Sequence, residues 1–142
     1  MKNIIPYLNF SGNTEEAFTF YKSVFGGEFT TFQRFKDIPG NHNLSKDDQE
    51  KIMHVSLELP NGYVLMGTDM LESMGQKLIE GNNFSLSINA QSESEADLLF
   101  NSLAKNSKIE MAMEKTFWGA YFGILKDKFG IQWMINYDYT TN

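Results

Sequence analysis

Apolar and polar residues alternate at the start of the chain in a pattern that predicts one β-strand followed by one α-helix. Residues 3–10 alternate loosely with the two-residue period of a strand. Residues 11–13 favour a turn, after which apolar side chains recur at the spacing of one helical face. The members of that face are Ala17, Phe18, Tyr21 and Phe25. We expect this helix to begin at Asn13 or Thr14 and to end at Gly26.

Three more alternating segments follow, and a turn at residues 60–62 separates the last two. They predict strands over residues 28–36, 52–59 and 63–68. The polar connection at residues 37–51 contains Ser45 and Asp48, whose spacing favours a short capped helical turn. A second polar connection is expected from residue 69 to residue 82.

The second half of the chain repeats this order. Residues 84–88 alternate, a helix is expected from Ser92, and three strands follow, at residues 110–116, 120–126 and 131–137. The pair Glu16-Ala17 recurs as Glu95-Ala96 after 79 residues, whereas the turn glycines Gly62 and Gly130 lie 68 residues apart. The first copy therefore carries about eleven extra residues, which fall in the connection at residues 37–51.

Each copy has the order strand, helix, strand, strand, strand, and one helix can cover only one face of such a sheet. The sequence therefore predicts an α+β fold of two βαβββ modules. We expect the modules at approximately residues 1–70 and 82–138, within a single domain that spans residues 1–142.

Composition and charge narrow the range of partners. A chain of 142 residues with a net charge of −6 and scattered acidic residues has no basic stripe for nucleic acid. It contains no Cys, which excludes disulfides, thiolate metal ligands and a Cys nucleophile. The N-terminal apolar patch, broken by Pro6 and Asn9, is too short for a signal peptide or a membrane span. We therefore expect a cytoplasmic protein that binds neither nucleic acid nor membrane.

Four stretches of the chain carry a family resemblance: residues 6–28 (PYLNFSGNTEEAFTFYKSVFGGE), 51–62 (KIMHVSLELPNG), 85–104 and 116–136. Together they resemble the PhnB-like branch of the vicinal oxygen chelate superfamily, which includes glyoxalase I, extradiol dioxygenases and bleomycin-binding resistance proteins. The resemblance implies paired βαβββ modules that form a cup-shaped mixed sheet with helices on its outer face, usually in a homodimer. It does not fix a reaction, because the same scaffold serves catalysts and pure binders.

The resemblance also implies where a metal ion would bind. In metal-dependent members, each module supplies one ligand from its first strand and one from the strand after its hairpin turn. These positions fall near Pro6 or Tyr7, near Asn83 or Ser85, and near Met66 and Met134. Two thioethers without a His or a carboxylate disfavour Zn²⁺, Fe²⁺, Ni²⁺ and Mn²⁺. We therefore predict a protein without a metal ion or another cofactor.

His54 is the residue that the resemblance singles out, in the sequence Ile52-Met53-His54. The period of the strand places it beside Ser56 and Glu58, on the face opposite the apolar residues. Its imidazole is a candidate for ligand binding or for acid/base catalysis near neutral pH, with Glu58 as a second catalytic group. A hydrogen-bonded histidine on a polar sheet face is the equally plain alternative.

The same parity, and closeness to the mouth of the cup, assign further side chains to a ligand-binding face. They are Tyr7, Asn9, Arg34, Ser56, Ser85, Ser87, Trp118, Tyr121 and Gln132. A solvated sheet face shows the same polar alternation, and aromatic side chains at such a mouth are more often core or dimer contacts. His42 lies in a polar loop and is expected to be solvated.

Three functions remain open from the sequence. The first is metal-free binding of a small, partly polar or aromatic molecule in the cup. The second is a superfamily enzyme, of lyase or dioxygenase type, that uses His54 with Glu58 as acid and base. The third is a non-catalytic dimer that serves a protein partner. Relatives also carry the label of demethylubiquinone methyltransferase, but no Gly-rich turn here opens a nucleotide-binding helix after a strand.

Overall fold

The computed structural model describes residues 1–41 and 43–139, and its strands and helices follow the predicted order. The chain divides into two compact units, of which Met1–Ile79 is the first and the second begins at Glu80. Each unit contains one helix-backed, four-stranded mixed sheet. The α+β fold of two βαβββ modules is therefore confirmed. His42, expected to be a solvated loop residue, lies outside the described part of the chain.

Within its described residues, the first unit contains four strands and two α-helices. They are β1 (Tyr7–Phe10), α1 (Thr14–Phe25), β2 (Glu28–Arg34), α2 (Lys46–Glu50), β3 (Ile52–Glu58) and β4 (Val64–Asp69). The strand order is β1-β4-β3-β2, in which β1 runs parallel to β4 and the other pairs are antiparallel. As expected, Ser45 caps α2 by accepting the backbone N–H of Asp48 at 3.1 Å.

The helix-facing side of the first sheet forms the core of this unit. Strand residues of one parity are buried there, namely Leu8, Phe10, Val55, Leu57 and Leu65. They pack with the apolar stripe of α1, whose Ala17, Phe18 and Tyr21 are buried. Gly67 permits the close approach of α1, because a Cβ at this position would lie 2.5 Å from the ring of Phe18.

Asp69 fastens the start of α1 to the sheet. Its Oδ1 accepts hydrogen bonds from the backbone N–H of Gly12 at 2.9 Å, and from the N–H and hydroxyl of Thr14 at 3.1 and 2.7 Å. Its Oδ2 accepts the N–H of Ile52 at 2.8 Å. The side chain is only 2% exposed. The expectation that a polar connection begins at residue 69 was therefore wrong, because Asp69 is the buried last residue of β4.

The second unit contains four strands and one helix. They are β5 (Leu86–Asn89), α3 (Glu93–Leu103), β6 (Lys108–Lys115), β7 (Ala120–Lys126) and β8 (Gln132–Asp138), with the strand order β5-β8-β7-β6. Ser92 caps α3 by accepting the N–H of Glu95 at 3.1 Å. The helix packs closely on β7, since a Cβ on Gly123 would lie 2.9 Å from the ring of Phe100.

No helix within residues 1–41 and 43–139 is both long enough and apolar enough to cross a bilayer.

Candidate functional site

The side of the first sheet that points away from α1, here called the polar face, carries most of the polar strand residues of this unit. Paired neighbours in a sheet share a face, and the pairing of β1, β4, β3 and β2 therefore defines its members. They are Tyr7, Asn9, Glu28, Thr31, Gln33, His54, Ser56, Glu58, Val64, Met66 and Thr68. The polar face is where the sequence predicted ligand binding.

Tyr7 and His54 form a joined pair on the polar face. The Tyr7 hydroxyl lies 2.7 Å from Nδ1 of His54, and the two rings are stacked with centroids 5.6 Å apart and an interplanar angle of 29°. Tyr7 is on β1 and His54 on β3, with β4 between them. Two strand spacings amount to about 10 Å, so only a long side chain such as tyrosine can bridge them.

The Tyr7 phenol remains protonated at neutral pH. Partial burial raises the pKa of Tyr7 above its ordinary value, because desolvation disfavours the phenolate. Tyr7 is nevertheless 46% exposed and His54 is half-buried, so both residues remain accessible to a small molecule. The pair therefore holds the imidazole of His54 in one orientation and leaves it accessible to a small molecule.

The other predicted residues of this unit differ in their exposure. Asn9 and Glu58 are exposed, whereas Ser56 is only 5% exposed. His54 and Glu58 lie four residues apart on β3, which corresponds to about 13 Å along a strand. The His54 side chain contacts Tyr7. A catalytic role of Glu58 together with His54 stays a prediction.

Arg34 does not point along the polar face with His54. Its guanidinium donates two hydrogen bonds to the Glu15 carboxylate of α1, at 3.0 and 2.9 Å, and a third to the carbonyl of Glu50 at 2.7 Å. The hydrogen bond with Glu15 raises the pKa of Arg34. The predicted placement was wrong because β2 has an extra residue between Phe29 and Thr31, which puts Gln33 opposite His54 and Arg34 on the other face of the sheet.

Four predicted residues of the second unit lie on or beside the face of its sheet that points away from α3. Ser87 pairs with Met134 on this face, and Ser85 comes just before β5. The Gln132 side chain donates a hydrogen bond to the carbonyl of Phe84. Trp118 is exposed in the turn between β6 and β7 and meets the ring of Phe122 edge-on at 6.0 Å. A role of these side chains in ligand binding stays a prediction.

Tyr121 points to the helix instead of the expected ligand face. Its hydroxyl donates a 2.7 Å hydrogen bond to the carboxylate of Asp97 in α3. It shares strand parity with Gly123 and Leu125, both of which are buried. The placement of Tyr121 at a ligand-accessible mouth was therefore wrong, and its hydroxyl instead links β7 to α3.

The hydrogen bond with Asp97 raises the pKa of Tyr121 to about 12, which predicts a pH-dependent stability. The folded state retains the proton more strongly than the unfolded chain, whose tyrosines titrate near pH 10. This contribution is complete below about pH 10 and is lost as the pH rises to about 12. We expect the Tyr121→Phe variant to lose less stability than wild type over this range in urea unfolding. Tyr63→Phe is the control, since Tyr63 is 72% exposed, and an equal slope in wild type and Tyr121→Phe would contradict the prediction.

The superfamily metal positions can be tested against the observed strand pairing. In the first unit Tyr7 lies opposite Met66, and in the second Met134 lies opposite Ser87, not Asn83 or Ser85. Each sheet thus offers one hydroxyl and one thioether, which are poor ligands for Zn²⁺, Fe²⁺, Ni²⁺ or Mn²⁺. Within the described residues, no group of three or more His, Asp or Glu side chains is arranged to hold a metal ion. The donor set does not fit the superfamily metal centre.

Comparison with known proteins places this geometry in a family. Protein YjdN of Escherichia coli K12 is 31% identical over 139 residues, which cover 92% of each chain. The structure of protein PA1353 from Pseudomonas aeruginosa is 36% identical, with a TM-score of 0.85 over 97% of this chain and 98% of that chain. The PhnB protein from Bacillus cereus is 27% identical, with a TM-score of 0.78 over 96% and 99% of the two chains.

Proteins of lower sequence identity share the same fold. A glyoxalase-related enzyme from Fulvimarina pelagi is 17% identical, with a TM-score of 0.66 over 97% of this chain and 89% of that chain, which shows a shared fold. The resemblance to the PhnB-like branch of the vicinal oxygen chelate superfamily is thereby confirmed. Within that class, the chain belongs to the family described as 3-demethylubiquinone-9 3-methyltransferase, whose pattern matches residues 2–136.

The turn before α1 is not arranged like a nucleotide-binding turn. In such turns the backbone N–H groups at the start of the helix face the phosphates of a ligand. Here the N–H groups of Gly12 and Thr14 already donate to the internal carboxylate of Asp69. These N–H groups are therefore not available to bind the phosphates of a nucleotide at this helix.

Proposed function

We propose that this protein binds a small, partly polar molecule on the polar face of the first unit without the help of a metal ion. The observation that carries the proposal is the Tyr7–His54 pair, in which a hydrogen bond of 2.7 Å and ring stacking hold an imidazole in one orientation. Pre-orientation lowers the entropy that a binding site loses when it takes up its ligand. Asn9 and Ser56 supply further hydrogen-bonding groups on the same face.

A ligand screen with matched variants tests this proposal. We expect ligand-observed NMR with a diverse small-molecule library to find compounds whose affinity falls at least about tenfold in His54→Ala, because one hydrogen bond is lost and its acceptor is left unsatisfied. His42→Ala is the matched control, since the chain has two histidines, and it should leave the affinity unchanged. A library without binders, or binders that are indifferent to His54→Ala, would refute the proposed site.

An enzyme with His54 as its acid or base is the second candidate. The observation in its favour is that Tyr7 orients the imidazole, as a third group orients the base in many active sites. His54→Gln separates the two functions, because a glutamine amide donates a hydrogen bond but does not transfer protons near neutral pH. Retained binding in His54→Gln supports the binding protein, whereas turnover by wild type that is abolished in His54→Gln supports the enzyme.

The absence of good metal ligands at the superfamily positions leads to a separate expectation. Addition of Ni²⁺, Zn²⁺, Fe²⁺ or Mn²⁺ should leave the melting temperature unchanged, since an ion that binds the folded state raises it. Elemental analysis of the purified protein should find no stoichiometric metal. A melting temperature that rises with one ion would show that other side chains form a metal centre, and a lyase or dioxygenase would then become the leading function.

The homodimer and the cytoplasmic location expected from the sequence stay predictions. Light scattering coupled to size-exclusion chromatography tests the oligomeric state directly. A dimer that persists in His54→Ala would show that assembly and ligand binding are separate properties of the chain.

A further inference from the structure

The Tyr7–His54 pair fixes which hydrogen-bonding group the polar face presents to a ligand. A phenol is a better hydrogen-bond donor than acceptor, and the Tyr7 hydroxyl keeps its proton at neutral pH, which favours the arrangement in which the phenol donates and Nδ1 of His54 accepts. A neutral imidazole carries one proton, and that proton then resides on Nε2. His54 therefore offers an N–H donor to a ligand, which calls for an acceptor on the ligand side.

The charges of the polar face decide between an anionic and a neutral acceptor. Among its eleven members, all within the described residues, the ionic side chains are the two carboxylates of Glu28 and Glu58, and none is Lys or Arg. Arg34, the cation that the sequence had placed on this face, is held by Glu15. An anion bound here would lose hydration without a cationic partner, which costs several kcal/mol. A neutral oxygen acceptor avoids most of that cost.

We propose that the polar face binds a small molecule through a neutral carbonyl oxygen, which accepts the Nε2–H of His54, and that Tyr7 is the positioning residue that fixes this tautomer. The inference rests on the proposed function, because it names the ligand class of the same site. Tyr7 acts through His54, since its hydroxyl is engaged with Nδ1.

The tautomer can be measured without any ligand. NMR of protein labelled with ¹⁵N-histidine distinguishes the two neutral tautomers, and the spectrum of His42→Ala assigns the signals of the two histidines. We expect the Nε2–H form of His54 in wild type and a new Nδ1–H population in Tyr7→Phe, which keeps the stacked ring but lacks the hydroxyl. An Nδ1–H form in wild type, or an unchanged spectrum in Tyr7→Phe, would overturn the role of Tyr7.

The ligand class can be measured with matched probes that share a ring and differ in charge. Acetophenone is compared with benzoate, and cyclohexanone with cyclohexanecarboxylate, in titrations that follow the His54 ring signals. We expect the ketones to bind at least about tenfold more tightly than their carboxylate counterparts. Tyr7→Phe should weaken ketone binding about fivefold, because it removes the hydrogen bond that holds the imidazole in the Nε2–H form.

The outcomes separate this inference from the proposed function. Carboxylates that bind as tightly as the ketones, or ketones that leave the His54 signals unmoved, overturn the inference. If library compounds of another class still depend on His54, the proposed binding function stands without it. If no compound of any class binds in a His54-dependent manner, the proposed function itself fails.

Discussion

Asp69→Ala is expected to lower the free energy of unfolding by about 4 kcal/mol, one of the two largest effects of a single substitution in this chain. The carboxylate accepts four hydrogen bonds, from the backbone N–H groups of Gly12, Thr14 and Ile52 and from the Thr14 hydroxyl. It is 2% exposed, so water cannot replace it without local opening. Alanine would leave these donors without their acceptor and would remove the charge that stabilises the start of α1. Urea unfolding followed by circular dichroism measures the loss.

Asp47→Ala is the matched control for this experiment. The Asp47 side chain is 89% exposed, and its carboxylate lies 3.5 Å from Nζ of Lys51. Exposed ion pairs of this kind contribute at most about 0.5 kcal/mol, so the control should unfold almost as wild type does. Similar losses for the two variants would mean that Asp69 has no special structural role.

Gly27→Ala is the second substitution with a large expected effect, about 4 kcal/mol. A Cβ at Gly27 would lie 2.1 Å from the carbonyl oxygen of Glu58, so the backbone of β2 or β3 would have to move. Gly27 also has a φ of +92°, which is unfavourable for a residue with a Cβ. Steric overlap and backbone strain therefore act together at this position.

Gly62→Ala separates the two contributions. Gly62 has a φ of +88°, close to that of Gly27, but a Cβ there would meet no atom within 4 Å. This variant should lose only the conformational part, about 1–2 kcal/mol. A Gly27→Ala variant no less stable than Gly62→Ala would show that the close approach of Gly27 to Glu58 has no energetic weight.

Periodicity predicted the order of strands and helices because α1, α3 and strands such as β4 each have one buried side. The alternation of Val55 and Leu57 with His54 and Ser56 predicted β3, and the recurrence of the pattern in the second half predicted its second module. The predicted ends of the strands and helices were less accurate, because a strand ends where its hydrogen bonds to the neighbouring strand end. Asp69 is the clearest case, because only the positions of α1 and β3 show why a charged residue belongs inside the fold.

The sequence predicted individual residues of the candidate site but not the contacts between them. Tyr7 and His54 were both assigned to one face, yet their contact depends on the register of β1 against β4 and of β4 against β3. Arg34 was misplaced because β2 has an extra residue between Phe29 and Thr31, which reverses the parity of every residue after it. Tyr121, in contrast, could have been placed correctly from the sequence, since it has the same parity along β7 as the buried Leu125.

The two modules complete their helices by different means, and this affects the order in which they can fold. The cap of α3 comes from Ser92, three residues from the N–H that it binds, so this helix is complete once its own segment exists. The cap of α1 comes from Asp69, 55 residues beyond Thr14. Closure of so long a loop is slow and costs chain entropy. On a growing polypeptide, the N-terminal helix therefore emerges first but receives its cap only after most of its module has been synthesised.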